Sequence, residues 1–348
     1  MPLTRVPFGV DKDGVDAFAH VLQADGIEAW LIDWGASLVR LRVPDRAGQR
    51  ADVVLGFEAW RDYQQPHPYL GAIVGRHANR IRDARFPLEG RVHRLLANDG
   101  PHHLHGGPRG FDRNLWRAAV LEAGDAPALE FALHSEDGDQ GYPGALEARV
   151  TYRLERSRLH IDYLAAGTTP TPVNLTQHAY FDLSAGRGIR GQKLQLAASH
   201  YLPVDALLIP TGEVRAVRDS PFDFRAGASI NERLEALALS EPESPGFDHC
   251  FVLEGGERRL RPAAELSDPH SGRRMGLLTD QPGLQVYTGN FLDGSLVGRS
   301  GQRLHRHAGL CLEAQGFPDA PNQPRFPDAI LRPGQVYRQS TVFEFSAS

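Results

Sequence analysis

The stretch LEARVTYRLERSRLHIDY, residues 146–163, decides how the chain is to be read. Leu146, Ala148, Val150, Tyr152 and Leu154 alternate with Glu147, Arg149, Thr151 and Arg153, and a period of two describes a strand with one face buried and the other wet. After Arg156-Ser157 the pattern resumes with Leu159, Ile161 and Tyr163 against His160 and Asp162, so the stretch reads as an antiparallel hairpin. The same alternation appears over 38–43, 129–133, 284–287 and 337–345. Asp13-Gly14, Asn98-Asp99-Gly100-Pro101, Pro245-Gly246, Pro282-Gly283 and Pro333-Gly334 mark turns. Helical spacing is confined to INERLEALAL at 230–239, where Asn231 is the expected cap. Strands punctuated by turns rather than helices indicate an all-β protein. With no repeat and no compositional break, residues 1–348 read as one large antiparallel β-sandwich domain.

Composition narrows the functional classes. The chain has 348 residues, 36 glycines and 25 prolines, turn-rich but short of the roughly 25–30% Pro plus Gly of low-complexity chains. Its formal net charge is −5 and its arginines are scattered among acids, so it lacks the clustered cations that nucleic acid requires. Cys250 and Cys311 allow at most one disulfide and no cysteine-based zinc site. Both lie in apolar strand-like runs and read as buried free thiols. Neither a signal sequence nor a run of about 20 apolar residues is evident, and the expected compartment is the reducing cytoplasm. No nucleic-acid or membrane partner is expected, and the chain reads as a monomer or homodimer.

Four polar clusters interrupt apolar contexts. GAIVGRHANRI, 71–81, delivers Arg76, Asn79 and Arg80 in quick succession, and arginine offers a fork of donors suited to oxygen acceptors. NDGPHHLHGG, 98–107, carries His102, His103 and His105. On a strand His103 and His105 would share a face, which raises a metal site as one reading, although no third ligand stands at a recognisable spacing. PVNLTQHAYFDL, 172–183, sets His178 among apolar residues, and imidazole can exchange a proton near neutrality. In GLCLEAQGFPDAPNQPRFP, 309–327, Leu310 and Leu312 would face one side while Cys311, Glu313 and Gln315 face the other. A carboxylate placed there costs desolvation energy unless it is paired or used.

Together with YLPVDALLIPTGEV (201–214), GFDHCFVL (246–253) and LQVYTGNFLDG (284–294), these segments resemble the aldose 1-epimerases, or galactose mutarotases, in order and separation from about residue 30 onward. The resemblance implies a mutarotase-like β-sandwich with an open sugar cleft on one sheet. It makes Glu313 the general base, His178 the general acid and His105 an assistant near the ring oxygen. Asn79, Arg80, Asp248 and Gln285 become contacts to sugar hydroxyls. It implies no metal and no organic cofactor. His77, His102, Gln177, Ala179, Cys250 and Ala314 depart from the family's usual spelling, and as neighbours expected to line the cleft they would bear on which sugar is preferred.

The chemistry asks for these residue types. Anomers exchange when a base takes the C1 hydroxyl proton while an acid protonates the ring oxygen. From ordinary values of about 4.3 for Glu and 6.5 for His, carboxylate and imidazolium coexist around pH 5–6. That window reaches neutrality if the cleft raises the histidine. Competing readings are a carbohydrate-binding protein without turnover, a metal-dependent isomerase built on the histidine cluster, and an epimerase for pentose, deoxy or phosphorylated sugars. No phosphate cradle supports the last of these.

Overall fold

The hairpin forms as two ten-residue strands, Leu146–Glu155 and Arg158–Gly167, in the computed structural model, which describes residues 3–255 and 259–348. Leu146, Ala148, Val150, Tyr152 and Leu154 are all buried, as their spacing predicts. The hairpin belongs to a nine-stranded sheet. Its order runs Arg117–Glu122, Ala128–Ser135, Leu146–Glu155, Arg158–Gly167, Tyr337–Ala347, Arg273–Thr279, Arg261–Ser267, Lys193–Leu196 and Ala228–Ser229. The C-terminal strand sits centrally, antiparallel to a strand on each side.

Two five-stranded sheets face this layer. One is an N-terminal meander, Leu3–Val10, Asp16–Ala24, Ile27–Ile32, Ser37–Pro44 and Arg50–Asp52. The other is ordered Arg215–Ala216, Ala198–Tyr201, Asp248–Leu253, Gly283–Tyr287 and Cys311–Gln315. A single core joins all three, with Leu31 and Leu41 from the meander, Val150 and Phe343 from the large sheet, and Val286 and Leu312 from the third. Burying such a side chain contributes about 1.5–3 kcal/mol, so this shared core is what holds the two layers together. The architecture is the sandwich read from the sequence, with one layer divided between two sheets.

The helix spans Ile230–Ser240, one residue beyond the expected pattern, but its cap is Ser229. The Ser229 hydroxyl accepts the Glu232 N–H at 3.4 Å, whereas Asn231 accepts from Arg190 and donates to Glu235. Serine wins because it occupies the extended position just before the helix, where a side-chain oxygen can reach back to an orphan N–H. Both cysteines are buried and free. Among the described residues no helix is long and apolar enough to cross a membrane.

Alternation in the third sheet positions the site. Phe251, Leu284, Val286, Leu312 and Ala314 enter the core. The cross-strand rows Asp248–Tyr287–Cys311 and Cys250–Gln285–Glu313 therefore lie on the opposite face.

Candidate active site

Over that outer face lies a cleft of about 460 Å³ whose wall includes Glu313, His178, His105, Arg80, Asn79 and Asp248. Glu313 stands mid-strand and is 2% exposed. His178 arrives from the segment after the short strand Thr176–Gln177, which pairs with Ile73–Val74. Main-chain bonds to Ala72 and from Gly71 hold it, each at 2.9 Å. His178 Nε2 is 3.7 Å from Glu313 Oε1. The two groups bracket the cleft without a direct hydrogen bond, since 3.7 Å exceeds bonding range.

Asn79, Arg80 and His105 come from one small device. Arg80–Ile81 pairs with His103–Leu104, and the chain then turns at His105, φ +53°. Asn79, also left-handed at φ +64°, donates its main-chain N–H to His105 Nδ1 at 3.2 Å, and the His105 N–H returns a bond to the Asn79 carbonyl at 3.1 Å. An Nδ1 that accepts must be bare, so neutral His105 presents Nε2–H as a donor. The Asn79 Oδ1 accepts the Arg80 N–H, which leaves its amide NH2 as the free end. Asn tolerates the left-handed region better than most residues. Gly106 is required: at φ +88°, a Cβ there would lie 1.8 Å from the Gly75 carbonyl oxygen.

Arg80 is oriented by two carboxylates, with Nε donating to Asp99 at 2.8 Å and Nη1 3.8 Å from Asp248. Gln285, expected as a sugar contact, is 3% exposed and donates to Asp248 Oδ1 at 2.6 Å. It supports a cleft residue from beneath. Tyr69, Asp99, Tyr180, Tyr287 and Phe291 also line the wall and are not singled out by the sequence, since lone aromatics and a turn Asp carry no periodic signal.

The cleft does not raise the histidine, the condition under which the ion pair would reach neutrality. Burial pushes His178 down to about 4. It drives Glu313 well above the usual carboxylate range, with Asp248 adding to the rise and Arg80 opposing it. The shared cause is desolvation, which penalises whichever form is charged. Burial first, then His178 and Arg80, hold His105 neutral. Asp248 is raised by burial against the pull of Arg80 and Gln285. Glu313 Oε2 has no hydrogen-bond partner in the protein, and such an atom costs about 1–3 kcal/mol until something binds it.

The histidine cluster separates. His103 leaves the cleft, bonding the Leu96 carbonyl at 2.7 Å and the Tyr142 hydroxyl at 2.8 Å, so it does not share a face with His105. The strand on which they would have been neighbours ends at Leu104. His105, His178 and Glu313 instead bring one donor atom each within 4.8 Å of one another. Two neutral imidazoles and a carboxyl converging so closely can grip one small polar group. Of the departures expected to line the cleft, only His102 does so. His77 and Gln177 are buried behind it, Cys250 packs with Leu202 and Phe317, and Ala314 faces the core. Arg76, 2% exposed, also turns away and bonds Gly144 O and Ser135 Oγ.

The aldose 1-epimerase family model matches residues 19–344. Galactose mutarotase from Bos taurus is 44% identical and that from Homo sapiens 43%, each over 99% of both chains. Aldose 1-epimerase from Escherichia coli (strain K12) is 38% identical over 92% of this chain and 93% of its own. Among solved structures, galactose 1-epimerase from Lactobacillus acidophilus superposes with a TM-score of 0.86 at 27% identity, covering 99% of each chain. An aldose epimerase homologue from C. elegans gives 0.85 at 30% identity over 94% of this chain and 99% of that one. With a matching family model across most of its length and relatives of this similarity end to end, the chain belongs to the aldose 1-epimerase family.

Proposed function

We propose that the protein interconverts the α and β anomers of free aldohexoses, glucose and galactose among them, by opening and reclosing the pyranose ring. The observation that carries this reading is the pair Glu313 and His178, 3.7 Å apart across a cleft able to hold a sugar. Glu313 takes the proton from the C1 hydroxyl. The C1–O5 bond breaks as C1=O1 forms, and His178 delivers a proton to O5. Rotation about C1–C2 presents the other face of the carbonyl, and the reverse transfers close the ring. Each positioned transfer contributes on the order of 10²–10⁴-fold.

The shifted pair supports this role. Ring opening moves one proton onto Glu313 and one off His178, so the pair holds a single proton before and after. What matters is the proton count rather than which partner is charged. Burial lowers the second uptake, at His178, to about 4 and raises the last loss, from Glu313. The one-proton state is thereby widened at both ends. His105, neutral with Nε2–H forward, is suited to donate toward the ring oxygen. Asn79, Arg80 and Asp248 take the sugar hydroxyls, with Gln285 bracing Asp248. The scheme uses no metal and no organic cofactor, so activity should survive exhaustive chelation.

Two buried free thiols suit a reducing cytoplasm, and the cleft calls for no partner but a small sugar. Polarimetry on freshly dissolved α-D-galactose and α-D-glucose tests the reading. A rate far above buffer is expected. A buffer rate with saturable sugar binding would leave a binding protein on the same fold.

A further inference from the structure

The cleft-facing side of Cys311–Gln315 supplies more than the carboxylate. Residues two apart on a strand share a face, and on this one Cys311 and Glu313 bracket a single imidazole. Glu313 Oε1 lies 3.7 Å from His178 Nε2, and Cys311 Sγ lies 3.5 Å from His178 Nδ1. Cys311 is fully buried beside Tyr180 and Tyr287. We propose that Cys311 is the positioning residue of His178: its sulfur accepts the Nδ1–H, leaving Nε2 as the nitrogen that gives and takes the proton in the cleft.

The direction of that bond follows from the reaction, and in this the inference rests on the proposed function. Nε2 must be protonated in one half of the cycle and bare in the other. A neutral ring with bare Nε2 carries its hydrogen on Nδ1, and the imidazolium carries one there as well. Nδ1–H is therefore present throughout, and the sulfur is the side-chain acceptor beside it. Thiol sulfur is a weak acceptor, weaker than the carboxylate or carbonyl that often orients a histidine. It fixes the ring without greatly stabilising the imidazolium. His178 is left a strong acid, which suits delivery of a proton to a feebly basic ether oxygen. The other side chains facing the ring do not supply a stronger anchor. His105 and Tyr69 stand over it at ring separations of 5.3 and 5.7 Å, Tyr180 at 5.1 Å and Tyr287 at 6.5 Å. His67 acts only as a nearby ring that lowers it, and the one further acceptor is its own main-chain carbonyl, which already accepts the Gly71 N–H at 2.9 Å.

The test compares Cys311→Ser and Cys311→Ala with the wild-type enzyme in pH profiles of kcat and kcat/KM, alongside ¹⁵N imidazole NMR of the wild type. Serine keeps the shape but is the better acceptor, so it should retain most of kcat and move the acidic limb upward. Alanine removes the acceptor, so kcat at the plateau should fall roughly 10-fold with KM nearly unchanged. The wild-type spectrum should show His178 neutral with hydrogen on Nδ1. A spectrum with the hydrogen on Nε2 overturns the proposal even if neither variant folds. So does a pair of variants that lose thermal stability while keeping the wild-type kcat and acidic limb. A wild type that turns over no aldose would instead undo the proposed function, which the NMR result does not depend on.

Discussion

Glu313 is the residue at which structure and chemistry meet most closely. A buried carboxyl with one oxygen lacking a protein partner is poorly solvated in the free protein, and binding a hydroxyl there repairs the deficit. Glu313→Gln keeps the volume but removes the base. Its kcat should drop by about 10²–10⁴-fold while KM stays within a few-fold, and a variant retaining most of its kcat would remove Glu313 from the base role. The pH profile offers an independent check. Activity in kcat/KM should be lost as pH falls through about 4, when His178 takes the pair's second proton. At the other end it should be lost as pH rises through the elevated Glu313 value. A basic limb at the ordinary carboxylate value of about 4.3 would show that Glu313 is not the group retained in protonated form.

At the level of elements, the third sheet and the Asn79–His105 device do different work. The sheet sets Asp248 and Glu313 by register, and part of this is legible: alternation over 310–315 already separates Glu313 from Leu310 and Leu312, while the pairing of Gln285 with Glu313 comes only with the sheet. What spacing along a strand cannot give is the bond from Gln285, which the resemblance makes a sugar contact, to Asp248. The loops were legible only as segments. Residue type alone does not distinguish His105, turned into the cleft at φ +53°, from His103, turned away to Tyr142; only the family resemblance singles out His105. The same limit hid Asp99, which holds Arg80 Nε at 2.8 Å. Because this pair lies at the cleft rim, Asp99→Asn should raise KM several-fold with kcat within about 3-fold, whereas Arg80→Ala should raise KM about 10–100-fold. Steady-state anomerisation kinetics separate the two, and a kcat loss at unchanged KM in either variant would move it into the chemistry.

Across the whole molecule, the sandwich depends on ties between its edges as well as on its core, and Arg76 is one of them. In the sequence it shares one cluster with Asn79 and Arg80, and an arginine after an apolar run gives no sign of which way it turns. In the fold its Nη1 donates to the Gly144 and Pro143 carbonyls at 2.7 and 3.2 Å, and its Nη2 to Ser135 Oγ and the Glu136 carbonyl at 2.6 and 3.1 Å. The segment carrying Asn79 is thereby tied to the turn that enters the 146–163 hairpin. Removing the guanidinium leaves several buried acceptors unpaired at about 1–3 kcal/mol each. A lysine cannot replace it, since one ammonium lacks the planar fork that spans both groups of acceptors. Arg76→Lys and Arg76→Met should therefore both lower Tm, while the folded enzyme at 25 °C keeps KM and kcat within about 3-fold. A variant with unchanged Tm and a KM raised tenfold or more would place Arg76 in the sugar site and show that the tie carries little of the stability.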